Sequence, residues 1–556
     1  MSDARLIYLP LGGAGEVGMN AYVYGYGAPG KERLILVDLG VTFPSMDNAP
    51  GVDLILPDIG WLADNADRLE AIFITHAHED HVGALGRLWD RLRAPVHARR
   101  FTGAIARMKL EEAGQPTDVV EIAEPRPAVV EAGPFAVQFV PISHSIPETA
   151  VLIIDTPAGR IVHAADFKLD ETPLVGEPFE PELFEAIGEE GVKVLVCDST
   201  NVLVPHAGRS EATLPEPITE LVRGAQGMVV ATTFASNVAR VKTLAEAGQA
   251  AGRSVCLLGR AMRRMVGLAQ ETGVLKSMPP LVSAEEAADI PRENLMLIVT
   301  GSQGERRAAS AQLSRGRYLG LQMREGDMFL FSSKTIPGNE REVLHIINAF
   351  SAMGVDVVDD STNRYHVSGH ANRPDLERVH AMLKPDMILP NHGDHRMLRA
   401  HARLAEDAGI ATAIPLNGNM FDLTGDLPRV VDEVDSGRLY FDGTVIYGAL
   451  DGVVRDRLRM AMNGLVMVSL VLDDEGPLGE PWADLRGLPE RGRSGRPLAE
   501  TLEAGLADHL GRLDRRKRGD DDALEEGFRR VVRQVCVEEI GKKPEVTVVI
   551  SRLQDD

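Results

Sequence analysis

The sequence predicts an α/β protein into which a second α/β module is inserted, followed by a small α+β domain. Three observations lead to this prediction. Histidines and aspartates recur directly after short apolar runs in two separated parts of the chain. Between these parts, from residue 210 to 360, apolar runs alternate with helical patterns, which is typical of a parallel sheet. From residue 465 an apolar run, helical spacing and a final apolar run form a separate block.

The length of 556 residues allows several domains with ample core. The net charge of −23 argues against broad, non-specific binding of nucleic acid, although a local basic channel is compatible with it. For any one arginine a solvated helix face is the simpler interpretation. Arginines near polar loops of the middle module could form such a channel: Arg240, Arg260, Arg263, Arg264, Arg306, Arg307, Arg315 and Arg317.

The cysteines bear on the cellular compartment, and the lengths of the apolar runs bear on whether the chain crosses a membrane. Cys197, Cys256 and Cys536 are odd in number and far apart, so we expect no disulfide framework and a cytoplasmic protein. Cys197 and Cys256 lie in apolar runs and are expected to be small buried side chains. We expect no membrane span, because apolar runs are shorter than the roughly 18 residues that a span needs. The N-terminus shows no signal-peptide pattern.

A dense group of metal-ligand residues follows the apolar run 71–74, which predicts a buried strand. The alternation of His76, His78 and Asp80 fits an extended loop better than a helix, where histidines that share an ion are usually four residues apart. Histidine and carboxylate are common metal ligands. We expect His76 and His78 to reach one ion, and Asp80 and His81 to reach a second. A polar surface loop is the alternative.

Further histidines and acids also follow apolar runs. His144, Asp166 and His392 do so, which favours a shared site, and Asp166 is our candidate for a carboxylate that bridges two ions. Asp38 is either a partner that orients a ligand histidine or a turn residue. The candidate ligands are thus His76, His78, Asp80, His81, His144, Asp166 and His392.

This ligand set suffices for two ions with mixed nitrogen and oxygen coordination. Because the set contains no cysteine, the residues permit either zinc or manganese. Two later histidines, His395 and His401, fall in a helical pattern. We expect them to be exposed on the helix surface and not to be ligands.

The ligand cluster, the later histidines, the inserted module and Ser368-Gly369-His370 together resemble the β-CASP branch of the metallo-β-lactamase superfamily. Within that branch the chain resembles bacterial ribonuclease J, over roughly residues 5–450 and more weakly beyond. Arg306 and Arg307 depart from the family pattern, which has proline and a small or apolar residue there. This puts RNA contacts of the loop in doubt but not the metal ligands. The segments of closest likeness are 12–20, 144–148, 198–201, 300–305 and 336–340.

The resemblance implies a metallo-β-lactamase αββα sandwich with an inserted β-CASP parallel α/β domain and a small α+β C-terminal domain. The sandwich would be assembled from two parts of the chain, on either side of the insertion. The boundaries that we expect are 1–209 and 361–450 for the sandwich, 210–360 for the β-CASP domain, 451–464 for a linker and 465–556 for the C-terminal domain.

The resemblance also implies a ribonuclease with a dinuclear metal site. It would act as a 5′-to-3′ exonuclease on 5′-monophosphorylated RNA and as an endonuclease, in rRNA processing, RNA maturation and mRNA decay. Zinc is the expected metal, with manganese as the alternative. One ion would be held by His76, His78 and His144, and the other by Asp80, His81 and His392, with Asp166 between them.

Catalytic roles are implied for Asp80 and Asp166 as ligands and for His370, which would protonate the leaving oxygen. A packed loop histidine is the alternative for His370. Substrate-binding roles are expected for Ser236, Asn237, Ser368, Gly369 and His370.

The resemblance implies single-stranded RNA as a partner, clamped between the two modules. It also implies further copies of the chain, in a homodimer or homotetramer. Other RNA-decay proteins are also expected partners, and a membrane is not. A small-molecule hydrolase of the same metal fold is disfavoured by the insertion. A β-CASP nuclease for DNA or for RNA 3′-end processing is the main alternative, and a non-catalytic RNA-binding scaffold is disfavoured by the full ligand set.

Overall fold

The computed structural model describes residues 4–336 and 338–553, which separate into two compact units. The first unit comprises residues 1–42 and 56–438, and the second comprises residues 43–55 and 439–556. Pro337, part of the segment 336–340 noted above, lies outside the described residues. None of the helices within the described ranges is long and apolar enough to cross a membrane.

Two mixed sheets form the body of the first unit. In spatial order the first sheet comprises Arg429–Glu433, Asn419–Asp422, Arg5–Gly12, Ala21–Gly27, Arg33–Val37, Leu69–Ile74, Val96–Ala98 and Val120–Ile122. The second comprises Ala411–Thr412, Met387–Asn391, Val194–Asp198, Gly159–Ala164, Ala150–Thr156, Phe135–Pro141 and Val130–Ala132. A short pair joins Ala14–Gly15 to Gly393–Asp394.

The core of the first unit lies between these two sheets. Tyr8 and Phe73 of the first sheet and Phe139 and Leu152 of the second belong to one fully buried cluster. Burying a large apolar side chain contributes about 1.5–3 kcal/mol, so this interface is a main source of stability. The helices in the same parts of the chain as these two sheets are Gly60–Asp64, Glu79–Val82, Leu85–Leu92, Arg100–Glu112, Pro181–Glu189, Arg373–Leu383 and His395–Asp407. A 3₁₀ turn lies at Ala66–Arg68.

A second apolar cluster covers the outer face of the second sheet, where Phe184 and Leu376 pack from two helices. A sheet that is covered on both faces needs apolar residues on both, which explains the continuous apolar runs seen in the sequence. The predicted αββα fold class is therefore confirmed.

The inserted module contains a parallel sheet, as predicted. Its strands are, in spatial order, Leu281–Val282, Ser254–Leu258, Leu295–Val299, Val229–Thr232, Met328–Phe331 and Asp356–Val358. Its helices are Pro215–Gly224, Val238–Ala250, Arg260–Glu271, Ala284–Asp289, Ala309–Ser314 and Glu340–Ala352. Shorter elements are the 3₁₀ turns Glu211–Thr213, Arg292–Asn294 and Asp360–Thr362 and the strand pair Arg317–Tyr318 and Leu321–Gln322.

The second unit has its own core. The sheet Trp482–Arg486, Leu465–Leu472 and Glu545–Arg552 packs one face against the helices Leu498–Arg512 and Asp521–Ile540. Residues 451–464, expected as a linker, include the helix Val453–Asn463. A further three-stranded sheet comprises Val445–Gly448, Arg438–Asp442 and Leu54–Pro57, in that spatial order. The short helix Arg515–Arg518 is the remaining element at this end of the chain.

Candidate metal centre

The residues of the first cluster lie where the strand Leu69–Ile74 ends. His76 and His78 lie in the following loop, whereas Asp80 and His81 lie on the short helix Glu79–Val82. The expectation of one extended loop was therefore wrong for the second half of the cluster. His78 has an extended backbone at the N-cap, and the acids that follow suit the positive end of a helix.

The first group of ligand atoms comes from three strand ends. His78 Nδ1 is 3.1 Å from His76 Nε2 and 3.1 Å from His144 Nε2. Asp166 Oδ2 lies 3.7 Å from His76 Nε2 and 3.6 Å from His144 Nε2. One ligand atom from each of the four residues lies within 4.8 Å of the others, so they can hold one metal ion.

The second group shares Asp166 with the first. Asp166 Oδ1 is 3.4 Å from His81 Nε2 and 3.2 Å from His392 Nδ1. Asp80 Oδ2 lies 3.2 Å from His392 Nε2 and 3.7 Å from His81 Nε2. The two oxygens of Asp166 therefore face different groups, which is the arrangement of a bridging carboxylate.

A third, overlapping group has the same ligand spacing. It consists of Asp166, Asp198, His370 and His392. His370 Nδ1 is 2.8 Å from Asp198 Oδ2, and its ring stacks on that of His392 at 5.7 Å between centroids. The geometry alone thus allows His370 to be a ligand as well as a proton donor.

Burial and charge divide the histidines into two classes. Burial lowers the pKa of His76 and His144 well below the ordinary value and that of His78 to about 4. Burial acts in the same direction on His81, but the carboxylates of Asp166, Asp80 and Asp38 outweigh it and raise its pKa to about 10. Neutral imidazoles are the form that binds metal, so the first group already presents free lone pairs at neutral pH.

The carboxylates require positive charge beside them. Burial alone would raise the pKa of Asp80 and of Asp166, but the facing histidines hold both below the ordinary value. His392 has a raised pKa because nearby carboxylates outweigh its burial. Within the described residues, Asp166 Oδ1 is a buried oxygen without a hydrogen-bond partner. Divalent ions would supply the positive charge that the carboxylates need and a partner for Asp166 Oδ1, so the donor set fits such ions.

Asp38 makes the contact expected of an orienting partner. Its Oδ2 is 2.7 Å from His81 Nδ1, and its Oδ1 accepts the backbone N–H of Thr75 at 2.8 Å. Its φ of 62° is strained for a residue other than glycine, and these bonds hold it there. Gly40 lets the backbone pass close by, because a Cβ there would lie 1.7 Å from the Asp80 carbonyl oxygen.

Other residues around the site were not assigned a role from the sequence. Asn20 donates to the Asp80 carbonyl at 2.9 Å and lies 3.0 Å from His81 Nε2. Thr200 Oγ1 is 2.9 Å from His392 Nδ1, and Asn201 donates to Ser368 Oγ at 2.8 Å. Asn20 and 198–201 lie in segments that resemble the family, which was the available signal for these contacts.

The candidate substrate residues fall into two sets. Ser368 Oγ accepts from the backbone N–H of His370, and the carbonyl of Gly369 accepts from His144 Nδ1 at 2.6 Å. Asn237 caps the helix Val238–Ala250 by accepting from the backbone N–H of Arg240. Across residues 4–336 and 338–553, no hydrogen bond joins Ser236 or Asn237 to Ser368, Gly369 or His370.

His401 is not a surface residue, and that expectation was wrong. Its side chain is fully buried, whereas His395 is exposed as expected. The reason is the helix phase, because Leu398, Ala402 and Ala405 share the buried face of His395–Asp407 with His401. Cys197 and Cys256 are buried, as predicted.

Comparisons with known proteins bear on this site and fold. The family descriptions that match are the Metallo-beta-lactamase superfamily over residues 14–207, the Ribonuclease J beta-CASP domain over 226–350, the Zn-dependent metallo-hydrolase RNA specificity domain over 354–415 and the Ribonuclease J C-terminal domain over 452–553.

A ribonuclease J from Sinorhizobium meliloti is 41% identical over 553 residues, covering 99% of this chain and 98% of the relative. The chain belongs to the ribonuclease J family. A ribonuclease J from Corynebacterium glutamicum is 37% identical, covering 87% of the chain and 67% of the relative. One from Thermus thermophilus is 33% identical, covering 85% and 83%.

Among solved structures, a protein of unknown function from Enterococcus faecalis aligns with a TM-score of 0.51 at 17% identity, covering 75% of this chain and 99% of that one. This likeness concerns the fold alone. Membership of the ribonuclease J family makes the chain a metal-dependent ribonuclease that binds divalent metal and RNA.

Proposed function

We propose that two divalent ions bind at this centre and that single-stranded RNA is hydrolysed there. The ligands would be His76, His78 and His144 for one ion and Asp80, His81 and His392 for the other, with Asp166 between them. The observation that supports this is the position of Asp166, whose two oxygens face two separate sets of ligand atoms. Zinc is the metal that we propose, with manganese as the alternative.

Bound divalent ions polarise phosphoryl oxygens and lower the pKa of water, which supplies a nucleophile at neutral pH. The chain's part is to hold and orient. Asp38 and Thr200 contact the Nδ1 atoms of His81 and His392, which leaves the Nε2 atoms of both rings facing Asp80. Asp80 and Asp166 balance the positive charge, and the buried position of Asp166 strengthens its interactions because little water screens them.

His370 is proposed as the acid that protonates the leaving oxygen. Burial would lower its pKa, but the charges of Asp198 and Asp166 and the hydrogen bond that His370 Nδ1 donates to Asp198 outweigh this effect and raise the pKa. A raised pKa favours the protonated form of His370, which this role requires. Its ring lies beside both groups, 5.1 Å from His144 and 5.7 Å from His392 between centroids.

The 5′-monophosphate pocket is proposed at Ser368, Gly369 and His370, with Ser236 and Asn237 beyond it. Arg240 supports this placement. It lies one turn after Asn237 on the helix Val238–Ala250, and its guanidinium group is 3.1 Å from His366 Nδ1. The segment 366–370 thus connects the start of that helix to the metal centre. Recognition of the terminal phosphate there would direct exonuclease action from the 5′ end, with endonuclease action on internal sites.

The remaining expectations are kept as proposals. These are roles in rRNA processing and mRNA decay, a cytoplasmic location, contacts with other RNA-decay proteins and the domain boundaries given above. Self-association into a homodimer or homotetramer is supported by the exposed apolar residues Met467, Val471, Trp482 and Val549 on one sheet of the second unit.

A substrate panel tests the proposed function. Purified protein is incubated with one RNA sequence bearing a 5′-monophosphate, a 5′-triphosphate or a 5′-hydroxyl, with the matched DNA and with a 3′-blocked RNA. We expect progressive release of mononucleotides from the 5′-monophosphate RNA, retained with the 3′ block. Equal turnover of DNA, or digestion from the 3′ end, would favour the alternative β-CASP nuclease.

A variant pair sharpens the panel. His78→Ala should abolish cleavage of every substrate, whereas the matched change His395→Ala, at an exposed histidine outside the site, should leave it unchanged. Ser368→Ala should reduce the preference for the 5′-monophosphate while internal cleavage continues. Loss of both activities to the same degree would place Ser368 outside the phosphate pocket.

A further inference from the structure

A second cluster of ligand-type atoms lies in the core of the first unit. Cys197 Sγ and one ring nitrogen each of His380 and His401 lie within 4.8 Å of one another. The three residues come from the strand Val194–Asp198 and the helices Arg373–Leu383 and His395–Asp407. Cys197 and His401 are 0% exposed and His380 is 5% exposed, so the cluster is closed except beside His380.

The two imidazoles face each other through defined nitrogens. His380 Nε2 and His401 Nε2 are 3.0 Å apart, and the rings are nearly parallel at 5.2 Å. Ser199 Oγ lies 2.9 Å from His401 Nδ1 on the other side of that ring. A partner on Nδ1 is what orients a ligand histidine and directs Nε2 to an ion.

The two imidazoles are in the protonation state that binds a metal. Burial lowers the pKa of His380 to about 4 and that of His401 to about 3, so both rings are neutral near pH 7. A neutral imidazole is a ligand. Burial raises the pKa of the Cys197 thiol well above its ordinary value, so this thiol becomes a ligand only when the ion displaces its proton to solvent. Two imidazoles and one thiolate are a donor set that zinc accepts.

We propose that Cys197, His380 and His401 bind a third metal ion of the Zn²⁺ class, separate from the two-ion centre. The ion would join one strand of the second sheet to the two helices that cover it. Cys197 directly precedes Asp198, which holds His370, and His401 lies on the helix that follows His392. An ion bound there would connect the strand that ends at Asp198 to the helix that follows His392, and so stabilise the elements that position the two-ion centre.

Cobalt distinguishes this site from the two-ion centre, because a thiolate bound to Co²⁺ gives an intense near-ultraviolet charge-transfer band. The two-ion centre has histidine and aspartate donors, so it does not produce this band. We expect the band in the wild-type protein loaded with Co²⁺ and its loss in Cys197→Ser. The matched variant Cys256→Ser, at another buried strand cysteine, should keep it.

Zinc content gives a second readout that does not depend on RNA cleavage. After loading and dialysis, Cys197→Ser and His380→Gln should each hold one zinc ion per chain fewer than Cys256→Ser. If the wild-type protein shows no thiolate band, the histidines form a hydrogen-bonded pair, Cys197 packs as an apolar side chain and the proposal is overturned. Because the wild-type spectrum decides this, a variant that fails to fold leaves the test intact.

Discussion

Asp198 connects two histidines of the metal centre. Its Oδ2 is 2.8 Å from His370 Nδ1, and its Oδ1 is 3.5 Å from His392 Nδ1. Asp198 is almost fully buried, so its charge acts on these rings with little screening. From this position we expect Asp198 to favour the protonated form of His370 and to orient both rings.

Asp198→Asn should lower kcat by about 10²-fold, because general acid catalysis is worth about 10²–10⁴-fold. It should also move the pH profile. In the proposed role His370 acts in its protonated form. Asp198 raises the pKa of His370, so removing this charge should lower that pKa and shift the alkaline limb of kcat to lower pH. Initial rates between pH 5 and 10, with ion content checked on the same samples, measure this. An unchanged profile would remove Asp198 from the proposed role.

Asp360 offers a stability prediction away from the ligands. Burial raises its pKa to about 6, and Oδ1 is a buried oxygen without a hydrogen-bond partner among the described residues. The folded pKa exceeds the unfolded value, so the carboxylate destabilises the fold at pH 7 and this cost disappears below about pH 4.

Asp360→Asn should therefore stabilise the protein at pH 7, by about 1 kcal/mol once solvent screening of this half-exposed group is allowed for. Thermal melts at pH 4, 5, 6, 7 and 8 measure the difference from wild type, which should shrink as the pH falls. The exposed carboxylate of Asp356 provides the control, since Asp356→Asn should shift Tm little at any pH. A gain that persisted at pH 4 would contradict this explanation.

At the scale of elements, the convergence of the candidate ligands could be predicted because most of them come shortly after the end of a strand. His144, Asp166 and His392 come after strands whose carboxyl ends meet at one edge, which an apolar run followed by a histidine reveals. Their pairing into two groups depends on non-local distances that a sequence does not contain. The helix at Glu79–Val82 was missed because four residues give no period.

The case of His401 differs, because its signal was present in the sequence. Leu398, His401, Ala402 and Ala405 have the spacing of one helix face, and the polar neighbours obscured it. Asn20 and Thr200 could not be assigned from periodicity at all. Their contacts join segments far apart in the chain, and polar residues in glycine-rich or strand-end turns have many structural uses.

A buried ion pair joins two elements of the inserted module, the 3₁₀ turn Glu211–Thr213 and the helix Val238–Ala250. Arg240, 0% exposed, lies 2.9 Å from both carboxylate oxygens of Glu211, and Lys168 Nζ lies 3.4 Å from the same side chain. Removing one partner of a buried pair leaves an uncompensated charge, which costs about 3–5 kcal/mol.

Glu211→Gln should therefore lower the free energy of unfolding by about 3–5 kcal/mol, as measured by urea denaturation. Lys242 and Glu246 supply the control, an ion pair within the same helix whose carboxylate is exposed. Glu246→Gln should change stability by about 0.5 kcal/mol or less. Similar losses in the two variants would show that burial does not govern this pair.

At the scale of the whole molecule, the second unit presents an apolar face. Val466, Val468 and Leu470 point into its core, while Met467 and Val471 are 39% and 38% exposed on the other face. Trp482 and Val549 flank Ser469 on the adjacent strands and are also exposed. We expect this exposed set of apolar side chains to form contacts between copies of the chain.

Met467→Glu should weaken self-association at least 10-fold, because it places a charge in an apolar contact. Sedimentation equilibrium over a range of concentrations measures the dissociation constant. Gln534→Glu makes the same charge change on an exposed helix position and should leave it unchanged. An unaltered assembly in Met467→Glu would place the contact between subunits elsewhere.

The central claim, that RNA is hydrolysed at two ions bridged by Asp166, is tested most directly by activity against metal occupancy. Chelated protein receives measured amounts of Zn²⁺ or Mn²⁺, and single-turnover cleavage of 5′-monophosphorylated RNA is recorded beside bound ions. We predict no cleavage without metal, full cleavage once both ions are bound, and loss of an ion together with at least a 10²-fold lower rate in Asp166→Asn. Metal-free protein that cleaves at the wild-type rate, or Asp166→Asn that retains it, would contradict the claim.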